Sequence, residues 1–414
     1  ISAESGLLLQ DLRDVVGNQA FTRPYFFTPD PTETTASIGG MAATDASGAM
    51  SYSYGPTRNA IKSLEVILAD GEVLRLVRGR NFAENRNFRL KTETGKVIEG
   101  SLPSFEMPDV KNAAGYFIHP DMDLIDLFIG SEGTLGIISK VELILVPAPA
   151  AIWGIMIFLP SLDSAINFVE KARTRHNGIA ALELFDDKSL DLLRNMKKAD
   201  AGFEDLPDIP DQWKVAVYAE FHGRDTDSVE ESALNITELL NEEGGSEENT
   251  WLASDEREMQ KLKDFRHAVP EAVNSLVDRY RKNEPELTKL GTDLAVPDNA
   301  FREMFSMYTY DLAKSGMEYV IFGHAGDNHV HVNIIPKKLE EYDTGKKLYL
   351  RWAEKVVNMG GTVSGEHGIG KLKRDMLQLM YKEDIIKQMQ DLKETFDPGW
   401  QLNPGDMFER PKVD

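Results

Sequence analysis

The sequence contains no cysteine. That excludes disulfides, thiol nucleophiles, iron–sulfur ligation, thiolate zinc sites and cysteinyl cofactor links, so any metal must use His, Asp or Glu. Positive charge is also scarce: 46 Lys and Arg stand against 68 Asp and Glu, a net charge of −22. A chain this acidic repels phosphate backbones and anionic headgroups, which argues against nucleic-acid partners and polybasic membrane docking. Long apolar runs are missing too. The longest extends from Ala150 to Leu159 between Pro149 and Pro160, about half of what a bilayer-spanning helix requires. No signal peptide opens the chain, so the expected setting is cytoplasmic, at most peripheral to a membrane. What is present is ordinary globular material: 414 residues, 42% hydrophobic and 28% charged, enough for two domains.

Leu8, Leu12, Val15 and Val16 recur at helical spacing before Gly17. A Gly-, Ala-, Ser- and Thr-rich stretch from Phe27 to Gly55 offers little side-chain bulk and much backbone N–H. Two β-rich runs, Leu64–Leu68 and Val73–Leu76, flank Asp70-Gly71 and predict a hairpin. Residues 80–110 read as a polar insertion loop. Pro147-Ala148-Pro149 marks a boundary, giving expected domains at 1–147 and 148–414. Beyond it, strand-like runs (Ile152–Leu159, Ala180–Phe185, Lys214–Phe221) alternate with helices, the clearest carrying Val229, Ala233, Ile236 and Leu240 behind an Asp225 or Thr226 cap. Ile386, Met389, Leu392 and Phe396 form a last stripe, stopped by Asp397-Pro398-Gly399. The expected class is α+β.

Four of the eight histidines lie between 324 and 367. From His329 to Ile335 the residues alternate, which places His329, His331 and Asn333 on one face of a strand and apolar residues on the other. The segment 361–370 carries four glycines and exposes Glu366 and His367 in a loop. Two imidazoles and one carboxylate would suit a divalent metal with open positions, and His367 would be placed to act as a base. The spacing alone leaves open whether these histidines are ligands or structural residues, since no compact motif such as His-Glu-x-x-His is present. The glycines of 36–55 and 130–136 match neither the dinucleotide fingerprint nor the P-loop.

Taken in order, these motifs resemble the FAD-linked oxidases and dehydrogenases of the vanillyl-alcohol-oxidase type, in the branch of D-lactate, glycolate and D-2-hydroxyglutarate dehydrogenases. The resemblance runs through Ala36–Thr44, Tyr54–Arg58, Asp126–Gly136, Gly323–His331, Ser364–Gly370 and Leu402–Gly405. It implies the C-terminal part of a PCMH-type FAD-binding domain followed by a ferredoxin-like α+β cap domain with a C-terminal helical segment. It further implies FAD contacts at Pro29, Gly39, Gly40, Met41, Thr44, Gly48, Tyr54, Gly55, Glu132, Gly136, Ile137 and Asn403. A divalent metal (zinc, manganese or iron) would sit on His324, His331 and Glu366, with His367 as base, Asn333 facing flavin and substrate, and Arg266 binding the substrate carboxylate. The implied reaction oxidises a small anionic D-2-hydroxy acid to a 2-keto acid and passes electrons to an acceptor that the sequence does not name.

The resemblance has departures. Its usual Gly-Asp-Gly-Asn-x-His reads Gly326-Asp327-Asn328-His329-Val330-His331 here, so His329 becomes a rival ligand. Gly291 stands where hydroxyglutarate-type relatives offer a lysine. The half-domain that grips the FAD pyrophosphate would precede Ile1, so the isolated chain is expected to bind FAD weakly unless a homodimer or a partner chain completes it. Other readings implied by the same resemblance are a non-redox flavoenzyme of the alkyl-glycerone-phosphate synthase type and a non-catalytic subunit that completes another chain.

Overall fold

Two sheets, each buried on its own side chains, organise the chain into two units. A computed structural model describes residues 1–18, 21–175 and 178–410. Ile1–Ala148 and Gly360–Asp414 form the first unit, and Pro149–Met359 the second. The C-terminal stretch that the sequence reading grouped with residues 148–359 therefore packs with the N-terminal residues. No helix among the described residues is long and apolar enough to cross a membrane.

The first unit contains strands β1 (Ser2–Glu4), β2 (Ile61–Ile67), β3 (Val73–Val77) and β4 (Ile137–Leu143), ordered β1-β4-β2-β3 and antiparallel throughout. The Asp70-Gly71 signal is the turn between β2 and β3, and Gly71 takes φ +85° there. In β2 the buried residues are Ile61, Leu64 and Val66. A register shift between Ile61 and Ser63 resets the pleat, which lets an odd spacing share one face. Buried Arg58 ties the loops together: Nε reaches Asp45 at 3.0 Å, Nη1 Asp126 at 3.2 Å and Nη2 the Ile129 carbonyl at 2.7 Å.

The polar stretch 80–110 is not simply a loop. It holds a hairpin of Asn87–Lys91 and Val97–Ser101. Phe88 and Leu90 are buried, and Phe88 stacks on Phe396 at 5.6 Å. Phe396 ends the helix Glu383–Phe396, whose buried Ile386, Met389 and Leu392 follow the expected stripe. One turn before that end, the ammonium of Lys393, 1% exposed, donates to Asp397 (2.9 Å) and to the carbonyls of Thr134 (2.7 Å) and Leu402 (2.9 Å). A buried cation is tolerated because its three donors are met by three acceptors.

The second unit is a seven-stranded sheet. Its strands are β5 (Ala151–Leu159), β6 (Ile179–Phe185), β7 (Val215–Gly223), β8 (Thr250–Ala253), β9 (Leu290–Gly291), β10 (Tyr319–His324) and β11 (His329–Ile334). They are ordered β8-β5-β7-β6-β10-β11-β9 with antiparallel pairing. The apolar run 150–159 is thus largely a strand, buried from Gly154 to Leu159. The helix Thr226–Glu242 starts at Asp225, which closes a capping box with Ser228, a device worth about 1 kcal/mol. β6 is the central strand, and every residue of it is buried.

Asp186 follows β6 and caps the helix Asp187–Ala199, accepting from the Ser189 backbone N–H (2.8 Å) and hydroxyl (2.7 Å). Burial outweighs these bonds and pushes its carboxyl up to about 7. The folded state thus holds a proton that the unfolded chain releases near pH 4. This contribution is complete below about pH 4 and is lost as pH rises to about 7. Asp186→Asn, which keeps a capping side chain, should therefore gain on the wild type by a few kcal/mol between about pH 4 and 7. Denaturant unfolding of both proteins at several pH values checks this, and a constant difference would contradict it.

Candidate functional site

In the second unit, β10 ends at His324, a single helical turn spans Ala325–Asp327, and β11 begins at His329. Asn328 reverses the chain with φ +53°. His324 pairs directly with His329, and Phe322 with His331. Because side chains alternate along a strand, His324, His329 and His331 share one face, and each offers a ring nitrogen within 4.8 Å of the others. Gly323 makes room for this, since a Cβ there would lie 2.9 Å from the His331 ring.

Each ring also has an acceptor against one of its nitrogens. His324 Nδ1 lies 3.0 Å from Glu183 Oε1. His331 Nδ1 lies 2.7 Å from the Thr292 carbonyl, and His329 Nε2 lies 2.9 Å from Asp293 Oδ1. Thr292 is pinned to β11 by exchange with Val332, at 2.9 Å each way. The Asp293 N–H donates to the Tyr349 hydroxyl at 3.1 Å. The acceptors are therefore as fixed as the strands. Asn333, also on this face of β11, is buried opposite Val320 and Gly291.

Glu183, in the middle of β6, is 5% exposed. Burial alone would raise its carboxyl, but the charge of Arg266 and the contact with His324 hold it down at about 2. Arg266 reaches it from the helix Glu256–Arg281 through Nε and lies 4.5 Å over the Tyr218 ring. Arg266 is thus part of the interior of this unit. Glu183, Thr292 and Asp293 were not singled out from sequence. A lone carboxylate inside the apolar run Ala180–Phe185 was the available signal, because a buried charge demands a partner.

In the first unit, Glu366 and His367 lie on the loop 361–370. Glu366 is 8% exposed and accepts from Ser47 (3.2 Å) and Lys111, whereas His367 is exposed. Glu132 clamps this loop by accepting the N–H groups of Ile369 and Gly370, both at 2.7 Å. Burial raises its carboxyl to about 7 despite those two bonds. Asn403 donates to the Glu132 carbonyl at 2.7 Å. Lys373 Nζ donates to Ser364 Oγ and the Gly368 carbonyl, both at 3.0 Å.

The other expected flavin contacts fall in two groups. Gly39, Gly48 and Gly136 are required by internal packing: added Cβ atoms would meet Ser5 at 2.4 Å, the Asp30 carbonyl at 2.1 Å and Val66 at 2.3 Å. Met41 is in the core, the Pro29 carbonyl accepts from Arg13, Thr44 Oγ1 bonds back to Gly40, and Tyr54 meets Phe26 edge-on. Gly40 and Ile137 are exposed, and Gly55 takes φ +75°. At Gly55 an added Cβ would meet the Asn59 side chain at 2.2 Å, and at Gly40 the Ser37 hydroxyl at 2.9 Å, so these glycines too have close neighbours within the chain.

Comparison with known proteins agrees with the expected family. The sequence profile of FAD linked oxidases, C-terminal domain, matches residues 148–407, and that of an FAD binding domain matches residues 1–77. The chain is 31% identical to a probable mitochondrial D-lactate dehydrogenase of Danio rerio over 93% of its length and 67% of that protein's. It is 29% identical to a D-lactate dehydrogenase of Anaerostipes hadrus over 98% of its length and 75% of that protein's. Its fold is similar to that of a 4-ethylphenol oxidase from Gulosibacter chungangensis, with TM-score 0.64 and 14% identity over 99% of this chain and 76% of that one. The chain belongs to the FAD linked oxidases, a family of flavin-dependent oxidoreductases.

Proposed function

We propose that this protein oxidises a D-2-hydroxy acid of the D-lactate type to the corresponding 2-keto acid. The observation that carries the reading is the histidine hairpin, with its imidazoles converging on one face and each contacted by an acceptor. This is how proteins orient metal-binding histidines. The similarity to two proteins named D-lactate dehydrogenases supports the substrate class.

In this reading His324 and His331 supply nitrogen, and Glu366 oxygen, to a divalent zinc, manganese or iron ion. The mix of imidazole and carboxylate suits such borderline ions. FAD, when bound, supplies the two-electron acceptor, and the metal, when bound, supplies Lewis acidity at the substrate oxygens. Conversion of the hydroxy acid to the keto acid removes one proton from the hydroxyl oxygen and one hydrogen with its electron pair from C2. His367 takes the hydroxyl proton on a ring nitrogen. Asn333 orients the substrate through its amide. Arg266 keeps Glu183 ionised and thereby fixes the ring of His324, while its remaining guanidinium edge is the proposed contact for the substrate carboxylate. Flavin contacts are assigned to Pro29, Gly39, Gly40, Met41, Thr44, Gly48, Tyr54, Gly55, Glu132, Gly136, Ile137 and Asn403, those with exposed backbone making the closest approach.

Two outcomes are expected. Anaerobic addition of D-lactate to the flavin-loaded protein should bleach its visible flavin absorbance, whereas L-lactate should not. An unchanged spectrum with D-lactate, D-2-hydroxyglutarate and glycolate alike would refute the reaction. His367→Asn should retain flavin and metal yet reduce turnover about 100- to 10,000-fold, the usual contribution of a positioned general base. Stopped-flow reduction of the flavin measures this, and wild-type rates in the variant would remove His367 from the mechanism.

A further inference from the structure

We infer that His329 is itself a metal ligand, so that His324, His329 and His331 hold the ion together as a three-nitrogen face on one hairpin. This rests on the metal reading above but is independent of the hydroxy-acid chemistry. His324 and His329 are directly opposed residues at the end of the β10–β11 ladder, where Cβ atoms stand about 5 Å apart. His331 is two residues on, on the same face. The ring centroids are 4.5 Å apart for His329 and His331, and 5.8 Å for each of these with His324.

The hydrogen bonds to each ring set the tautomers. Glu183 and Asp293 as carboxylates, and Thr292 through its carbonyl, can only accept. A neutral His324 or His331 therefore carries its proton on Nδ1 and presents the Nε2 lone pair. A neutral His329 carries its proton on Nε2, toward Asp293, and presents the Nδ1 lone pair. Each of the three rings also offers a nitrogen within 4.8 Å of one on each of the others. The anchors come from separate places, Glu183 on β6 and Thr292-Asp293 after β9. Three anchors on two separate segments thus each place an acceptor against one of the three rings, which a purely structural His329–Asp293 pair does not require.

A face of three imidazoles favours zinc and cobalt over manganese, because affinity for nitrogen donors rises along the first-row series from manganese. The experiment is calorimetric titration of EDTA-treated protein with Zn²⁺, Co²⁺ and Mn²⁺, on the wild type, His329→Asn and His331→Ala. Asparagine keeps a donor for Asp293. The wild type should bind one Zn²⁺ per chain. His329→Asn should weaken Zn²⁺ and Co²⁺ about tenfold or more while changing Mn²⁺ less. X-ray absorption of the zinc-loaded wild type should show three imidazoles, a measurement that needs no variant to fold. Unchanged Zn²⁺ affinity in His329→Asn, or two imidazoles in the spectrum, would make His329 a core residue held by Asp293 and overturn the inference alone. Absence of stoichiometric Zn²⁺ or Co²⁺ binding by the wild type would overturn the metal reading and this inference together.

Discussion

A carboxylate in the central strand of a seven-stranded sheet is expensive, and much of the second unit follows from how Glu183 is accommodated. Removing an unpaired carboxylate from water costs several kcal/mol even after relaxation. Here Arg266 meets it from a helix and His324 from the neighbouring strand. The outcome is an anion kept well below the usual carboxylate range, at about 2. The pairing joins helix to sheet and, with the same atoms, aims the His324 ring. Fold and site therefore share one interaction: removing Arg266 would leave an unbalanced charge in the core and loosen a residue of the histidine face together.

The first unit handles a buried carboxylate differently. Glu132 is nearly as buried as Glu183, yet its carboxyl is raised to about 7. The difference lies in the partners. Glu183 touches a guanidinium, whereas Glu132 meets two backbone N–H dipoles, which offset only part of the desolvation. Glu132 nonetheless fixes the backbone at Ile369 and Gly370, just beyond Glu366 and His367. Lys373 braces the inside of the same loop, and Lys393 ties Thr134 to the C-terminal segment near Leu402. A glycine-rich loop would otherwise sample many conformations. These polar clamps restrict the loop without adding side-chain bulk beside Glu366 and His367.

Patterns that depend on near neighbours were legible in the sequence. The Asp225 cap, the Ile386–Phe396 stripe, the Asp70-Gly71 turn and the shared face of His329, His331 and Asn333 all rest on periodicity or local hydrogen bonding. The hairpin 87–101 was obscured because its outward residues, among them Arg89, Lys91 and Glu99, are charged and its buried ones few. Partners distant in sequence were not legible: nothing local joins Glu183 to Arg266, 83 residues away, or His331 to Thr292, 39 residues away. The glycines show a different ambiguity. Gly39, Gly48 and Gly136 suggest close approach of backbone to something, and the structure supplies Ser5, Asp30 and Val66 as that something. Glycine reports a lack of space without naming the neighbour.

The charge of −22 also bears on the proposed chemistry. An acidic chain should repel an anionic substrate, but at physiological ionic strength surface charges are screened beyond about 8 Å. What a small carboxylate meets is then set by nearby groups. Around the histidine hairpin Glu183 is balanced by Arg266, and the Asp293 carboxyl faces the His329 imidazole. An imidazole that presents a lone pair attracts a cation far better than a hydroxy acid. In the proposed reaction, the ion held there would therefore carry the local positive charge that binds the substrate. Loss of metal should then weaken substrate binding as well as turnover, and the acidic exterior is compatible with an anion-binding interior because the two act over different distances.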